Sequence, residues 1–464
     1  MNFETRIPSE ILSEIFHLLC DEPIDLGQLE NSACLAEFPW AVGQVCRRWR
    51  TAFLSSPVLW SCLSLLDPRV YDLTTAYLAE MERRSAIYLK RSGQHPLTLT
   101  ICTDDSPIEG SMVTVFNMLL SCSDRWRKAA IVLPLSSSVN GDALLECRGR
   151  MPILESLLID VYAFKDSEKY LNVFEIAPRL TEVNLRSHYG CTGRWTLPWI
   201  QLTKLRMSMT YHAWFTHGTV TELRAFLSQL QNVEELEFLL DDEAVRDSCC
   251  PPVHLPRLRL LGISILYPGV ISWFQVPLLE HLLLDNPDFK FEDGGADPYH
   301  LRDELISLMD RSSCRIRQLT LRYCNIEQMH NAMETLANVE ELYIESPSGR
   351  GVSAPLMETI AESDDYSYLL NLRVLQVKCP DCPQRLEELV EDLSFLIGVR
   401  MIVLEASDYN VMTLHKSVIE DRCKDFFGES RTPESVLKAM SRLPSFPQTV
   451  ITEAKDEVLS LMFL

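Results

Sequence analysis

A short apolar pattern, apolar-x-x-apolar-x-apolar, recurs ten times between residues 154 and 404, and no other feature of the sequence limits the fold as strongly. The copies begin at Leu154, Leu180, Leu202, Val233, Leu258, Leu279, Ile316, Val339, Leu372 and Val399. Proline or asparagine introduces several of them, as at Pro152, Pro178, Asn232, Pro256, Pro277, Asn338 and Asn371. Within a copy the fourth and sixth residues alternate with polar ones, as in Leu319-Thr320-Leu321, which predicts a strand burying one face. Between copies the apolar period lengthens to three and four. Val220, Leu223, Phe226, Leu227 and Leu230 predict a helix, as do Leu301, Leu305, Leu308 and Met309, and again Leu386 through Ile397.

A strand followed by a helix cannot bury its apolar side alone, so successive copies must stack on one another. The mean separation is about 27 residues, within the period of about 20–29 residues of leucine-rich repeats, although single spacings scatter more widely. The expected fold is α/β: an irregular leucine-rich-repeat solenoid over residues 151–407, with parallel strands on the concave face and helices outside. Leu97 to Ile101 reads as an earlier strand, Trp126 to Val132 as a degenerate copy and Tyr71 to Arg91 as a helix, so residues 63–150 form a transition into the repeats. Residues 408–464 lack the pattern and carry helix-like stretches around 414–427 and 433–441, which predicts a C-terminal helical cap.

Charge narrows the function classes. Acidic residues number 65 against 43 basic ones, a net charge of −22 over 464 residues, which opposes tracking of nucleic-acid phosphates or anionic lipid. No apolar run approaches the roughly 18 residues needed to cross a bilayer, and no secretory signal opens the sequence. Fifteen cysteines without regular spacing fit reduced thiols in the cytoplasm or nucleus. The C-x-x-C at Cys379 and Cys382 stands alone, Cys249-Cys250 precedes a strand, and Asp241-Asp242-Glu243 reads as a solvated loop. A structural zinc site needs four ligands, so no metal site and no cofactor is expected. No phosphate loop, H-E-x-x-H or G-x-S-x-G motif is present, and no catalytic residue is assigned.

The first 62 residues form a different, helical element. Pro8 suits the first turn of a helix, and Ile11, Leu12, Ile15, Phe16, Leu18 and Leu19 give that helix a broad apolar stripe. A second helix runs from about Trp40 to Phe53 through Val45 and Trp49, and Val58-Leu59-Trp60 adds another apolar cluster. So small an element has more apolar surface than it can enclose, so some of it must meet either the repeats or another protein.

These residues resemble an F-box: Ile7-Pro8-Ser9-Glu10-Ile11-Leu12-Ser13-Glu14-Ile15-Phe16, then Val45-Cys46-Arg47-Arg48-Trp49-Arg50, then Pro57-Val58-Leu59-Trp60. With Phe38-Pro39-Trp40 ahead of the second segment and Arg91 to Leu99 after the third, the pattern is similar to the F-box-like proteins of mushroom-forming fungi. Ile7 replaces the usual leucine, and Cys20 to Pro39 is an insertion between the two helices. The resemblance implies a non-catalytic substrate-recognition subunit of a Skp–cullin–F-box type ubiquitin ligase. It assigns contact with a Skp-family adaptor, and through it a cullin–RING ligase, to Pro8, Ile11, Leu12, Ile15, Val45, Trp49, Leu59 and Trp60. A protein substrate of unknown identity would then lie on the concave face, against Arg186, Arg206, Glu237, His281, Arg322 and Tyr343. The alternative is a repeat scaffold for protein interactions, with the N-terminal element only a cap.

Overall fold

The structure is a computed structural model. It describes residues 8, 11–12, 15–16, 24–26, 42–66, 75–102, 111–134, 138–162, 172–187, 195–209, 220–240, 251–264, 268–285, 298–323, 334–336, 338–345, 371–378, 401–407, 410–415 and 462–463. The chain divides into two compact units, Met1–Val233 and Glu234–Leu464. The helix expected over 386–397, both cysteine pairs, the acidic run 241–243 and the helix-like stretches beyond 415 lie outside the described residues.

In the first unit a strand β1 (Ile24–Asp25) is followed by two short helices, α1 (Val42–Val45) and α2 (Arg47–Ser55). Cys46 separates the helices and caps the second, its Sγ accepting from the Trp49 N–H at 3.4 Å. A 3-10 turn, Pro57–Trp60, leads into β2 (Cys62–Leu65), then α3 (Thr75–Ser92), β3 (Leu97–Cys102), α4 (Ser111–Ser121) and β4 (Trp126–Pro134). After α5 (Ser138–Leu145) come β5 (Ser156–Tyr162), β6 (Glu182–Ser187), β7 (Lys204–Met209) and α6 (Val220–Leu227). The seven strands lie in one sheet in sequence order, every pair parallel.

Register explains the sequence pattern. Leu63, Leu99, Ala129, Leu157, Val183 and Leu205 stand side by side, as do Leu65, Ile101, Ile131, Ile159, Leu185 and Met207. All twelve are buried. Each side chain therefore loses its water only because the neighbouring repeat supplies the next wall, and each buried Leu or Ile contributes about 1.5–3 kcal/mol.

The helix-to-strand corners follow from particular residues. Gly93, at a φ of +54°, ends α3 in the left-handed conformation that costs a glycine nothing. The Arg125 guanidinium, 9% exposed, clamps this corner by donating to the Ser92 hydroxyl at 2.7 Å and to the His95 carbonyl at 2.8 and 3.2 Å. Two tryptophans repeat one device: the Trp60 indole N–H donates to the Phe53 carbonyl, and that of Trp126 to the Leu119 carbonyl, both at 3.2 Å. Each indole thus adds a second donor to a carbonyl near the end of the helix seven residues earlier, beside the backbone N–H of Ser56 or Cys122.

Across the expected boundary at residue 62, α2, the turn after it and β2 follow one another directly, and β2 belongs to the first sheet. Part of the insertion joins that sheet. Ile24 pairs with Leu63 and Asp25 with Ser64, and the Leu26 N–H reaches the Ser64 carbonyl at 2.8 Å, so this segment covers the edge of β2.

The second unit carries β8 (Glu235–Leu240), β9 (Val253–His254), β10 (Leu260–Ser264), β11 (Phe274–Gln275) and β12 (His281–Asp285). Helix α7 (Pro298–Ser312) precedes β13 (Gln318–Arg322), β14 (Glu341–Glu345), β15 (Val374–Lys378) and β16 (Met401–Ser407). Strands β8, β10 and β12 to β16 pair in parallel, while β9 and β11 form a separate two-stranded ladder. Leu236, Leu261, Leu282, Leu319, Leu342, Leu375 and Ile402 are aligned, with Phe238, Ile263, Leu284, Leu321, Ile344, Val377 and Leu404 two residues on. All ten copies found in the sequence are strands.

The second residue of each copy holds the stack from the backbone. The Glu234 carbonyl accepts from the N–H groups of Arg259 and Leu260, that of Arg259 from Glu280 and His281, and that of Glu280 from Arg317 and Gln318. Arg317 and Glu340 continue the ladder. The side chains in this column alternate in sign, as Glu234, Arg259, Glu280, Arg317, Glu340 and Arg373, with Arg259 and Glu280 at 4.0 Å and Arg373 and Glu340 at 3.6 Å. Each exposed pair contributes little alone, but the alternation opposes slippage by one repeat, which would place like charges together.

In the region expected as a cap the described residues are strands: β17 (Asn410–His415) runs antiparallel to β16, and β18 (Met462–Phe463) antiparallel to β17. Met412 lies opposite Leu404 and Leu414 opposite Ile402, so the alternation in Val411-Met412-Thr413-Leu414 continues the sheet.

The alternating column gives a direct test. Arg317→Glu should lower stability more than Arg317→Gln, by about 0.5–1 kcal/mol, because it sets three carboxylates in a row. Chemical denaturation should show this gap at low salt and lose it near 1 M salt, where screening acts within about 3 Å.

Candidate functional site

Two surfaces collect the residues assigned from the sequence. The first is the N-terminal helical face. Leu12 donates its N–H to the Pro8 carbonyl at 3.1 Å, and Ile11, Leu12, Ile15 and Phe16 are helical. A helical period divides these into two sides. Leu12 and Phe16 are buried, and the Phe16 ring meets Trp49 at 5.3 Å, tying this helix to α2. Pro8, Ile11 and Ile15 fall on the other side and are exposed, Ile11 by 50% and Ile15 by 38%. Val45 adds 55% exposure and Leu54 40%, while Trp49 is half-buried.

Three residues assigned to this surface face inward. Leu12 and Leu59 are almost wholly buried, and Trp60 has no exposure. The Trp60 ring lies 4.8 Å from Phe53 and 5.5 Å from Tyr88, with the Arg91 guanidinium 4.4 Å over it. Its indole N–H is already committed to Phe53. Trp60 and Leu59 therefore belong to the core that joins α2 to the first strands, and only Pro8, Ile11, Ile15, Val45 and part of Trp49 are presented. Leu54 joins them from α2 without having been singled out; a leucine beside the inward Phe53 on one short helix was the available signal.

The second surface is the open face of each sheet, opposite the apolar columns. In the first unit it carries Arg186, which is exposed, and Arg206, which is half-buried beside Asn184 in the register. In the second unit it carries Glu237, His281, Arg322 and Tyr343, all partly exposed. The middle of this second face is filled rather than merely hydrated. Arg322 on β13 reaches Glu237 on β8 at 3.2 Å and also lies 3.6 Å from Glu345. Strands are spaced about 4.8 Å apart, so the Arg322 and Glu237 side chains must meet above β10 and β12.

Gly262 makes that reach feasible. A Cβ there would stand 3.0 Å from Glu237 Cγ and 3.3 Å from its Cα, so the bare backbone leaves room for Glu237 that a side chain would crowd. Beneath this brace Ser264, Leu283, Asp285 and Thr320 are buried. His281 completes the group, its Nε2 lying 2.8 Å from the Thr320 hydroxyl.

Among the described residues no group of three or more His, Cys, Asp or Glu side chains could hold a metal ion. The described cysteines are free thiols, and burial pushes Cys147 up to about 11, away from the reactive thiolate. No helix among the described residues is long and apolar enough to cross a membrane.

No protein-family model matches the chain, and no curated protein matches it. Among solved structures it is similar to the leucine-rich repeat-containing protein LegL7 of Legionella pneumophila, with 12% identity and a TM-score of 0.38, over 75% of this chain and 96% of that one. It is also similar to an LRR protein of Leptospira interrogans, with 11% identity and a TM-score of 0.22, over 79% and 97%. Scores this low leave the repeat assignment resting on the register of the sheets, where one parallel strand per copy is the arrangement of a leucine-rich repeat.

Burial first, and then the Arg322 guanidinium, hold the His281 imidazole below its ordinary 6.5, against the opposing pull of Glu341, Glu235 and Glu237. The unfolded chain then binds more protons than the folded one below pH 6.5. Stability from this residue is therefore complete above 6.5 and falls as the pH drops through the window beneath it. By NMR the His281 ring should titrate below 6.5, and Arg322→Gln should move the midpoint upward. A midpoint at or above 6.5 in the unaltered protein would contradict the buried, cation-flanked setting.

Proposed function

We propose that this protein is a leucine-rich-repeat substrate-recognition subunit of a Skp–cullin–F-box ubiquitin ligase, without catalytic residues of its own, acting in the cytoplasm or nucleus. The N-terminal helical face docks a Skp-family adaptor, which connects to a cullin–RING ligase, and the open sheet faces hold a protein substrate. The observation that carries this reading is the exposure of Ile11, Ile15 and Val45. Among the described residues eight large hydrophobic side chains are exposed, and four of them lie within the first 54 residues: these three and Leu54. Exposed aliphatic groups concentrated beside a half-buried tryptophan are what a helical docking contact needs, because a few anchors supply most of its affinity. Resemblance to an F-box in the same residues supplies the identity of the partner. It is narrowed to Pro8, Ile11, Ile15, Val45 and Trp49, since Leu12, Leu59 and Trp60 serve the core.

That narrowing also favours a second reading, a repeat scaffold for protein interactions whose N-terminal element only covers the first strands. The two readings part on one experiment. Purified full-length protein should capture a purified Skp-family adaptor. Ile11→Glu combined with Ile15→Glu should weaken capture by about tenfold or more while leaving thermal unfolding nearly unchanged, as expected for exposed anchors. Trp60→Ala should instead lower stability by about 3–5 kcal/mol. Adaptor binding that is absent, or indifferent to Ile11 and Ile15, would favour the scaffold.

A further inference from the structure

The open face of the first unit differs in sign from the chain that carries it. Across β4 to β7 it presents four cations, Lys128, Arg186, Lys204 and Arg206, against two carboxylates, Asp160 and Glu182, of which Asp160 is buried. Lys128, Arg186 and Lys204 are exposed and Arg206 is half-buried. The whole chain has a net charge of −22, so a cationic strip here is a local departure and not the general composition.

Three of the cations gather on two adjacent strands. Arg186 pairs in the register with Ser208, Asn184 with Arg206 and Glu182 with Lys204, so Arg186, Arg206 and Lys204 occupy three successive rows of the β6–β7 ladder. Neighbours in such a ladder stand about 5 Å apart across strands and about 7 Å apart along one. An extended peptide carries side chains of one face at that same spacing of about 7 Å. Screening restricts such attraction to about 8–10 Å, so a short acidic stretch would feel this strip. A long polyanion would in addition meet the strongly negative remainder of the molecule.

We propose that this face binds an acidic, Asp- and Glu-rich extended segment of a protein partner, with Arg186, Lys204 and Arg206 taking its carboxylates. The proposal rests on the reading that the open sheet faces hold the substrate, and it names that substrate's chemistry. It is tested by fluorescence anisotropy on the purified full chain, with labelled twelve-residue peptides alternating serine with glutamate, glutamine or lysine, and with an oligonucleotide matching the acidic peptide in charge. The glutamate peptide should bind, weaken by about tenfold with Arg186→Glu plus Lys204→Glu, and weaken again as salt is raised. Arg83→Glu, an exposed change on α3, should leave it unaltered. Arg206 is left in place because its half-buried side chain could unfold the unit when reversed, and circular dichroism checks the doubly reversed chain.

Binding unaffected by the double reversal, equal loss with Arg83→Glu, or equal affinity for the oligonucleotide would overturn the proposal. So would absence of binding. If another of these peptides bound instead and the double reversal changed its affinity, the acidic class would fall while the open-face reading stood. If no peptide responded to the reversal, both would fall.

Discussion

Every part of this structure depends on one constraint: a single repeat cannot bury its own apolar residues. The columns led by Leu63 in the first unit and Leu236 in the second are closed only from the side, by the strand before and the strand after. The backbone enforces the same dependence. One carbonyl per repeat in the second unit serves two N–H groups of the next, so a strand out of register would lose polar partners and misplace its leucines together. Stability in such an array is a chain of nearest-neighbour terms, and the ends are its weak points.

The ends show how that weakness is met. At the start, Ile24 to Leu26 lies along β2, and the Phe53, Trp60 and Tyr88 rings fill the space beneath α2. At the other end β17 turns antiparallel against β16 and breaks the repeat. The N-terminal helices have two unlike faces. Leu12, Phe16, Leu59 and Trp60 close the core, which fixes the backbone that presents Ile11, Ile15 and Val45. A surface so placed is pre-organised, and a partner meeting it pays little to order it.

The repeating strands could be read in the sequence because leucine spacing and strand pleat share a period, and no long-range knowledge is needed to see it. Helix α6 and helix α7 were legible for the same reason. The sides of the first helix were not: Ile11 and Leu12 are equally apolar neighbours, and only the packing of Phe16 on Trp49 decides which one turns inward. Nor could the sequence couple Arg322 to Glu237, 85 positions away. The one local sign of that brace was Gly262, standing where other repeats place a side chain. The strand from Asn410 to His415 was not legible either, because its alternation is short and needs β16 as a template.

The account stands on the outward side of the first helix being a contact surface and not an uncovered remnant of the core. Hydrogen–deuterium exchange of the full chain, with and without a Skp-family adaptor, asks this most directly. Added protection should fall in peptides spanning residues 8–16 and 42–54 and leave β3 to β7 unchanged. Protection confined to the sheet strands, or no change anywhere at saturating adaptor, would contradict it.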